Sequence, residues 1–337
     1  MTPSGDSRGI VAGLDFHAAA DAVASLARRT PLLEVRELSQ QVGRPVLLKL
    51  ECMQVTGSFK VRGAAARLSA LTPEEALQGV VACSSGNHGR AVAYVAERLG
   101  IPATVYVPTW VDPVKLAGIR SHGAEAVLFG DTYDDAEAEA LSVAARDGRT
   151  YVSAYDDPWV MAGQGTIGLE ILQEAPEPPC AVLVPLSGGG LAGGIAAALQ
   201  RERGTDAPPV VAVSAENAAV MLASVQAGRP VELPEEPTLA NALAGGIGLE
   251  NRFSFPVIRD LMAQHVVATE DEIADAMSFS YNVLRLIVEG GGSVALAALL
   301  SSKWTPSGPG HGPVVVVVSG GNVGLTKLAE IADGHSG

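Results

Sequence analysis

Short apolar runs rich in Val, Leu and Ala alternate with longer alanine-rich stretches along almost the whole chain, and this alternation restricts the fold more than any other feature. Residues 46–50, 79–83, 103–107, 126–129, 181–184, 210–213 and 313–318 read as strands. Most are continuously apolar rather than alternating, the pattern of a strand covered on both faces. Between them, segments from about Phe59, from about His88 to Leu99 and from about Asp112 read as helices. Strand and helix in turn imply an α/β architecture of parallel sheets covered by helices. Ligands in such folds bind beyond the carboxyl ends of strands, and each glycine-rich motif of this chain falls at such an end.

A length of 337 residues allows two domains, at ~150 residues each. Hydrophobic residues make up 47%, enough for a large core, and the net charge is −14. That charge argues against a general affinity for nucleic acid or an anionic membrane. It leaves room for a small anion, because a nest of backbone N–H groups can hold one inside an acidic protein. The three cysteines, Cys52, Cys83 and Cys180, lack metal-ligand spacing and fit a reducing cytoplasm without disulfides. Met1 to Gly9 is polar, without the basic start and apolar stretch of an export signal. The apolar run 314–318 is too short to span a bilayer. Residues 176–179 and 228–237 read as surface connections, and the tail 333–337 as disordered.

Four turns carry the chemistry. The first is Gly57-Ser58-Phe59-Lys60, which opens an alanine-rich helix. A helix start bears unpaired N–H groups and partial positive charge, so a lysine there sits against its electrostatic preference, and burial lowers its pKa further. Such an amine is a candidate for an imine with a carbonyl compound; a surface lysine fits the motif equally well. The second turn, Ser84-Ser85-Gly86-Asn87-His88-Gly89, gathers hydroxyls, an amide and backbone N–H groups at a helix start, which suits a carboxylate. An ordinary capped turn fits it too. The third, Ser187-Gly188-Gly189-Gly190-Leu191-Ala192-Gly193-Gly194, lets successive N–H groups face a phosphate with no Cβ in the way. No Gly-Lys-Ser/Thr follows, and no acidic residue ends the next strand until Glu216, beyond the spacing of a dinucleotide site, so a phosphate monoester fits better than a nucleotide. The fourth is Ser319-Gly320-Gly321-Asn322-Val323-Gly324, readable alone as a plain glycine turn.

Taken together and in this order, the four turns closely resemble the fold-type II pyridoxal-phosphate enzymes: threonine and serine dehydratases, serine racemases and their relatives. The resemblance runs from Thr30-Pro31-Leu32 to Gly324. It includes Lys49-Leu50-Glu51, Ala162-Gly163-Gln164-Gly165-Thr166 and Thr269-Glu270-Asp271-Glu272-Ile273. Residues 247–252 and 288–292 look most like the branch of hydroxyectoine-utilisation dehydratases. The resemblance implies a two-domain, tryptophan synthase beta-like fold. Residues 1–64 and 155–337 would form the large cofactor domain and residues 65–154 the small domain. It implies pyridoxal 5'-phosphate held as a Schiff base on Lys60, which would then act as base at Cα. Phe59 would pack beside the cofactor and Asn87 would bond the ring 3′-oxygen. Ser187, Gly188, Gly189, Gly190 and Leu191 would wrap the phosphate, Glu289 would lie near the ring, and Ser319 would face the pyridine nitrogen. Ser84, Ser85, Gly86, Asn87 and His88 would line the substrate carboxylate site, and Ser85 matches the acid/base serine of racemase relatives. A homodimer is implied as well.

Several departures narrow these expectations. Glu216 matches the first ligand of the cation site in racemase relatives, but residues 217–222 supply no second carboxylate, so an ordinary strand-end acid fits equally. Asn241 and Ala242 stand where many relatives have Asp and Gly, which bears on substrate scope. Residues 130–135 are acidic with no arginine, which disfavours an aspartate-like substrate. The expected activity is loss of the β-hydroxyl from a small hydroxy amino acid such as L-threonine or L-serine, giving a 2-oxo acid and ammonia. The alternatives on the same fold are a racemase and a β-replacement synthase.

Overall fold

The computed structural model describes residues 6–84, 86–111, 113–306 and 312–334, leaving aside the side chain of Val114. Ten strands form two sheets: β1 (Leu32–Glu34), β2 (Val46–Leu50), β3 (Val80–Cys83), β4 (Ala103–Val107), β5 (Glu125–Leu128), β6 (Thr150–Tyr151), β7 (Ala181–Pro185), β8 (Val210–Ala215), β9 (Met262–Ala268) and β10 (Val314–Val318). The larger sheet runs β1-β2-β10-β7-β8-β9, and the smaller runs β5-β4-β3-β6. Every pairing is parallel except the antiparallel β1–β2 edge. This is the α/β fold of parallel, helix-covered sheets expected from the sequence.

The central strands owe their place to their composition. β2, β7, β8 and β10 are buried at every position, as a strand with helices on both faces must be. One face of the large sheet packs Leu48, Leu183, Val213 and Val316 against the helix Gly290–Leu300. The other packs Val182, Ala212 and Val317 against Leu191, Ile195 and Leu199 of the helix Gly190–Arg203. The helix Pro158–Glu174 is capped at its start by Asp157, whose Oδ1 accepts from Val160 N–H at 3.0 Å. It lies tight against two neighbours. A Cβ on Gly163 would fall 2.4 Å from Arg62 O, and one on Gly194 would fall 2.3 Å from Met161 O. The small-residue stretch from Ala162 to Thr166 is therefore a close helix crossing.

The strands β1, β6 and β9 were not legible as runs. Each lies at a sheet edge, is short or mixed in polarity, and needs only one ladder partner. The N-terminal region forms two helices, Ser7–Gly13 and Phe16–Leu26, capped by Asp6 and Asp15. The expected helix near Asp112 covers Pro113–Arg120, with Asp112 itself outside the described residues. Asp333 and Gly334, expected to be disordered, end the helix Leu325–Gly334, and the rest of that tail lies outside the described residues. Among the described residues no single helix is long and apolar enough to cross a membrane.

Candidate active site

The four turns meet. β2, β10 and β7 are parallel neighbours, so the chain leaves their carboxyl ends on the same side of the sheet, toward Lys60, Ser319 and Ser187. The first and fourth turns are stitched together. Ser58 pairs with Gly320 in an antiparallel bridge, Phe59 N–H donates to Ser319 O at 3.1 Å, and Gly321 N–H donates to Gly57 O at 2.9 Å. The remaining turn follows β3 of the smaller sheet and opens the helix Asn87–Leu99, which brings Asn87 to Glu289.

Lys60 is the first residue of the helix Lys60–Ser69. Its Nζ donates to Ala154 O at 2.7 Å and lies 5.1 Å from the centre of the Phe59 ring. Burial lowers its pKa from 10.5 to about 8, because an ammonium loses hydration that a neutral amine hardly needs. Phe59 and Lys60 thus sit together as the motif requires.

His88 is buried, with Nε2 2.8 Å from Val152 O. Burial, then the charge of Lys60, push its pKa down to about 3 against the pull of that hydrogen bond. The ring is neutral and donates Nε2–H to the carbonyl. Ser84 Oγ accepts from Gly86 N–H at 3.1 Å, and no side chain caps the helix start at Gly86. Ser85 lies outside the described residues. The Asn87 amide is held at both ends. Its Nδ2 donates to Glu289 Oε1 at 2.6 Å, and its Oδ1 accepts from Asn322 Nδ2 at 2.7 Å. Burial raises the Glu289 pKa, opposed by the bond from Asn87 and the nearby charge of Lys115.

In the glycine turn, Ser187 Oγ donates to Leu243 O at 2.9 Å, and Ser254 Oγ donates to Gly188 O at 2.7 Å. Gly189 has φ +86°, which a residue with a Cβ rarely adopts. A Cβ on Gly188 would fall 2.3 Å from Tyr155 Cγ. Gly190 and Leu191 begin the helix Gly190–Arg203, whose start no side chain caps. Ser319 is buried, with only a long bond, 3.4 Å, from Oγ to Gly291 O.

Glu216 is placed elsewhere in the structure. It is exposed, and its Oε1 accepts from Glu270 N–H at 2.8 Å, at the start of the helix Glu270–Asn282. Its carboxylate accepts at a helix start, and among the described residues no group of three His, Cys, Asp or Glu that could hold a metal is found.

The residues present suit pyridoxal phosphate. A helix start with three successive glycines and no capping side chain can take a phosphate. An amine of lowered pKa can take an aldehyde. Ser319, whose hydroxyl has only a long bond to the protein, can take a ring nitrogen.

Sequence reasoning missed a group behind this site. Lys49, Glu51 and Arg62 are wholly buried. Arg62 bonds Glu51 and Glu170, and Lys49 bonds Glu170 and Glu174. The signal was a charged residue, Lys49, inside an apolar strand run, since a charge buried there must be paired. Tyr155 and Asn322 were missed as well, because nothing in the sequence tells which loops will touch.

A family model described as "Pyridoxal-phosphate dependent enzyme" matches residues 23–320. The chain is 40% identical over 308 residues to an L-threonine ammonia-lyase of Geobacter sulfurreducens, covering 91% of this chain and 74% of that one. Among solved structures, maize serine racemase superposes with a TM-score of 0.87 at 31% identity, covering 99% of this chain and 98% of that one. The processed form of threonine deaminase isoform 2 from Solanum lycopersicum superposes with a TM-score of 0.85 at 31% identity, covering 98% and 95%.

Proposed function

The chain belongs to the pyridoxal-phosphate dependent enzymes, and from that premise we propose that it is an ammonia-lyase acting on a small β-hydroxy amino acid such as L-threonine or L-serine. The products are a 2-oxo acid and ammonia. The observation that carries the reading is the half-buried Lys60 amine, with its pKa lowered to about 8, at the strand ends where the glycine and serine turns meet. The similarity to an L-threonine ammonia-lyase supports the choice of reaction.

Pyridoxal phosphate supplies, when bound, the electron sink that lets a bond at Cα break, while the protein selects which bond. Lys60 Nζ would tether it and then take the proton from Cα. The backbone of Ser187 to Leu191 would hold the phosphate. Asn87 would donate toward the ring oxygen, with Glu289 behind its amide and Phe59 beside the ring. Ser319 would meet the ring nitrogen without charge, which would weaken the sink and favour prompt departure of a β-substituent. The backbone of Ser84, Ser85, Gly86, Asn87 and His88 receives the substrate carboxylate. Approach of the small-sheet unit to the large one excludes water.

The test is purified holoenzyme given a panel of β-hydroxy amino acids, with oxo acid and ammonia measured. Release of both from threonine or serine, abolished in Lys60→Ala, supports the proposal. If Lys60→Ala still carries cofactor covalently after borohydride, the lysine assignment is wrong. The likeness to maize serine racemase favours racemisation as the second reading, with Lys60 and Ser85 on opposite faces of Cα. Chiral analysis of residual serine separates the two, and Ser85→Ala should impair racemisation more than elimination.

We also propose that the protein works as a cytoplasmic homodimer, with units 1–64 plus 155–337 and 65–154 closing on the substrate. The cysteines Cys52, Cys83 and Cys180 are free thiols, which fits a reducing compartment. Val283 and Ile287 expose apolar surface that a second copy could cover. Light scattering of the purified protein tests the dimer: a monomer mass at working concentration removes it.

A further inference from the structure

Four polar side chains form one connected line beside the proposed ring seat. Arg90 Nη1 donates to Asn322 Oδ1 at 3.2 Å. Asn322 Nδ2 donates to Asn87 Oδ1 at 2.7 Å and to Thr56 O at 2.9 Å. Asn87 Nδ2 donates to Glu289 Oε1 at 2.6 Å. The residues come from three places: Asn87 and Arg90 from the helix after β3, Asn322 from the turn after β10, and Glu289 from the residue before the helix Gly290–Leu300.

The line has a direction. A guanidinium only donates, and a main-chain carbonyl only accepts. Asn322 must therefore turn its oxygen to Arg90 and its NH₂ to Thr56 O, and that NH₂ is what faces Asn87. Asn87 must answer with its own oxygen, which leaves its NH₂ on the Glu289 side. An amide free of such ends can flip and exchange donor for acceptor. Here the ends forbid it. Gly57 makes room for the arrangement, since a Cβ there would fall 2.2 Å from Asn322 Oδ1.

We infer that Asn322 and Arg90 are positioning residues that fix the donor face of the Asn87 amide toward the cofactor ring. The inference rests on the reading that Asn87 meets the ring oxygen. Neither Asn322 nor Arg90 need touch the cofactor for this. They act by deciding whether Asn87 offers that oxygen a hydrogen or a lone pair.

Asn322→Asp tests it with almost no change in shape. The new carboxylate accepts but cannot donate, so Asn87 then lies between two acceptors, the new carboxylate and Glu289, and its NH₂ loses its fixed direction. Arg90→Leu removes the end that orients Asn322, and Arg90→Lys keeps a donor there. Wild type, Asn87→Ala, Asn322→Asp, Arg90→Leu and Arg90→Lys are prepared as holoenzymes. Two readouts are taken: the visible absorption band of the bound pyridoxal phosphate, and its dissociation constant by equilibrium dialysis. Asn322→Asp is expected to shift the band in the same sense as Asn87→Ala and to weaken retention about tenfold, the size of one lost hydrogen bond. Arg90→Leu should lie between, and Arg90→Lys should return to wild type.

A merely structural role would lower the melting temperature without moving the band. If Asn87→Ala shifts the band while Asn322→Asp and Arg90→Leu keep the wild-type spectrum and affinity, the positioning role is overturned and the Asn87 reading stands. If Asn87→Ala itself leaves the band unchanged, both fall. Should Asn322→Asp fail to fold, the Arg90 pair decides: equal spectra for Leu and Lys overturn the inference.

Discussion

Replacing Arg62 with methionine should destabilise the protein far more at neutral pH than in mild acid. The guanidinium is fully buried and makes paired bonds to two carboxylates. Nε and Nη2 reach Glu51 at 2.9 and 2.8 Å, and Nη1 and Nη2 reach Glu170 at 2.7 and 2.8 Å. Bonds to Thr166 Oγ1 at 3.1 Å and Arg28 O at 3.2 Å complete its fork. Methionine fills the space but leaves Glu51 with only Thr30 and Gln54 as side-chain donors. Glu170 retains Lys49 at 2.7 Å. Breaking a buried pair by removing one partner costs about 3–5 kcal/mol. In a chain of this length, 4 kcal/mol corresponds to a fall of about 6 °C in melting temperature.

The pH dependence follows from Glu170. Burial alone would raise its pKa, yet hydrogen bonding to Arg62, with the charges of Arg62 and Lys49, holds it below the ordinary value. A lowered carboxyl pKa contributes stability that is complete above the unfolded value and is lost as pH falls through the native one. Without Arg62, only Lys49 opposes burial, so the carboxyl pKa rises from its native value. The penalty of Arg62→Met is then complete at pH 7.5 and shrinks by pH 5, as the carboxyl takes up a proton. Scanning calorimetry of wild type and variant at both pH values measures this. A fall below about 1.5 °C, or the same fall at both pH values, would refute the reasoning.

Three further outcomes are expected. Covalent loading of cofactor-free protein with pyridoxal phosphate should accelerate as pH rises through about 8, where the Lys60 amine becomes neutral; a rate flat from pH 6.5 to 9 in a stopped-flow absorbance assay contradicts the lowered pKa. Gly188→Ala should weaken cofactor retention at least about tenfold, because the added methyl meets Tyr155 Cγ at 2.3 Å; part should return in the double variant with Tyr155→Ala, and equilibrium dialysis reads both. Glu216→Gln should cost about 0.5–1 kcal/mol, through the weakened acceptor at Glu270 N–H, and a chelator should leave both proteins equally active.

The central strands were legible because a strand buried on both faces needs apolar residues at every position, as 314–318 shows with five valines. The turns were legible because each follows such a strand and contains glycine or serine where backbone must approach a ligand. The reading weakened wherever a contact is long-range. Asn87 looked like a ligand-facing amide, and the structure shows it engaged by Glu289 and Asn322, each more than 200 residues away in sequence. His88 looked like part of the carboxylate turn, but the nearby Val152 carbonyl claims its ring. Glu216 at a strand end looked like an acid without a partner, and the structure sets the start of the Glu270 helix on it.

The same distinction bears on the chemistry proposed for Lys60. An amine whose pKa has been lowered by burial is held against its preference for water, and a loose backbone would let it swing out and recover its charge. Two features oppose that. Ahead of it, the bridge from Ser58 to Gly320 fixes the entry of the chain. Behind it, Arg62, two residues on in the same helix, is tied by Glu51 to the segment after β2 and by Glu170 to the helix Pro158–Glu174. Lys60 therefore sits between a main-chain anchor and a buried ionic one, and both restrain the helix start that carries the amine. Loosening Arg62 should accordingly raise the Lys60 pKa and move the loading profile to higher pH, a change that a purely thermal effect of Arg62→Met would not produce.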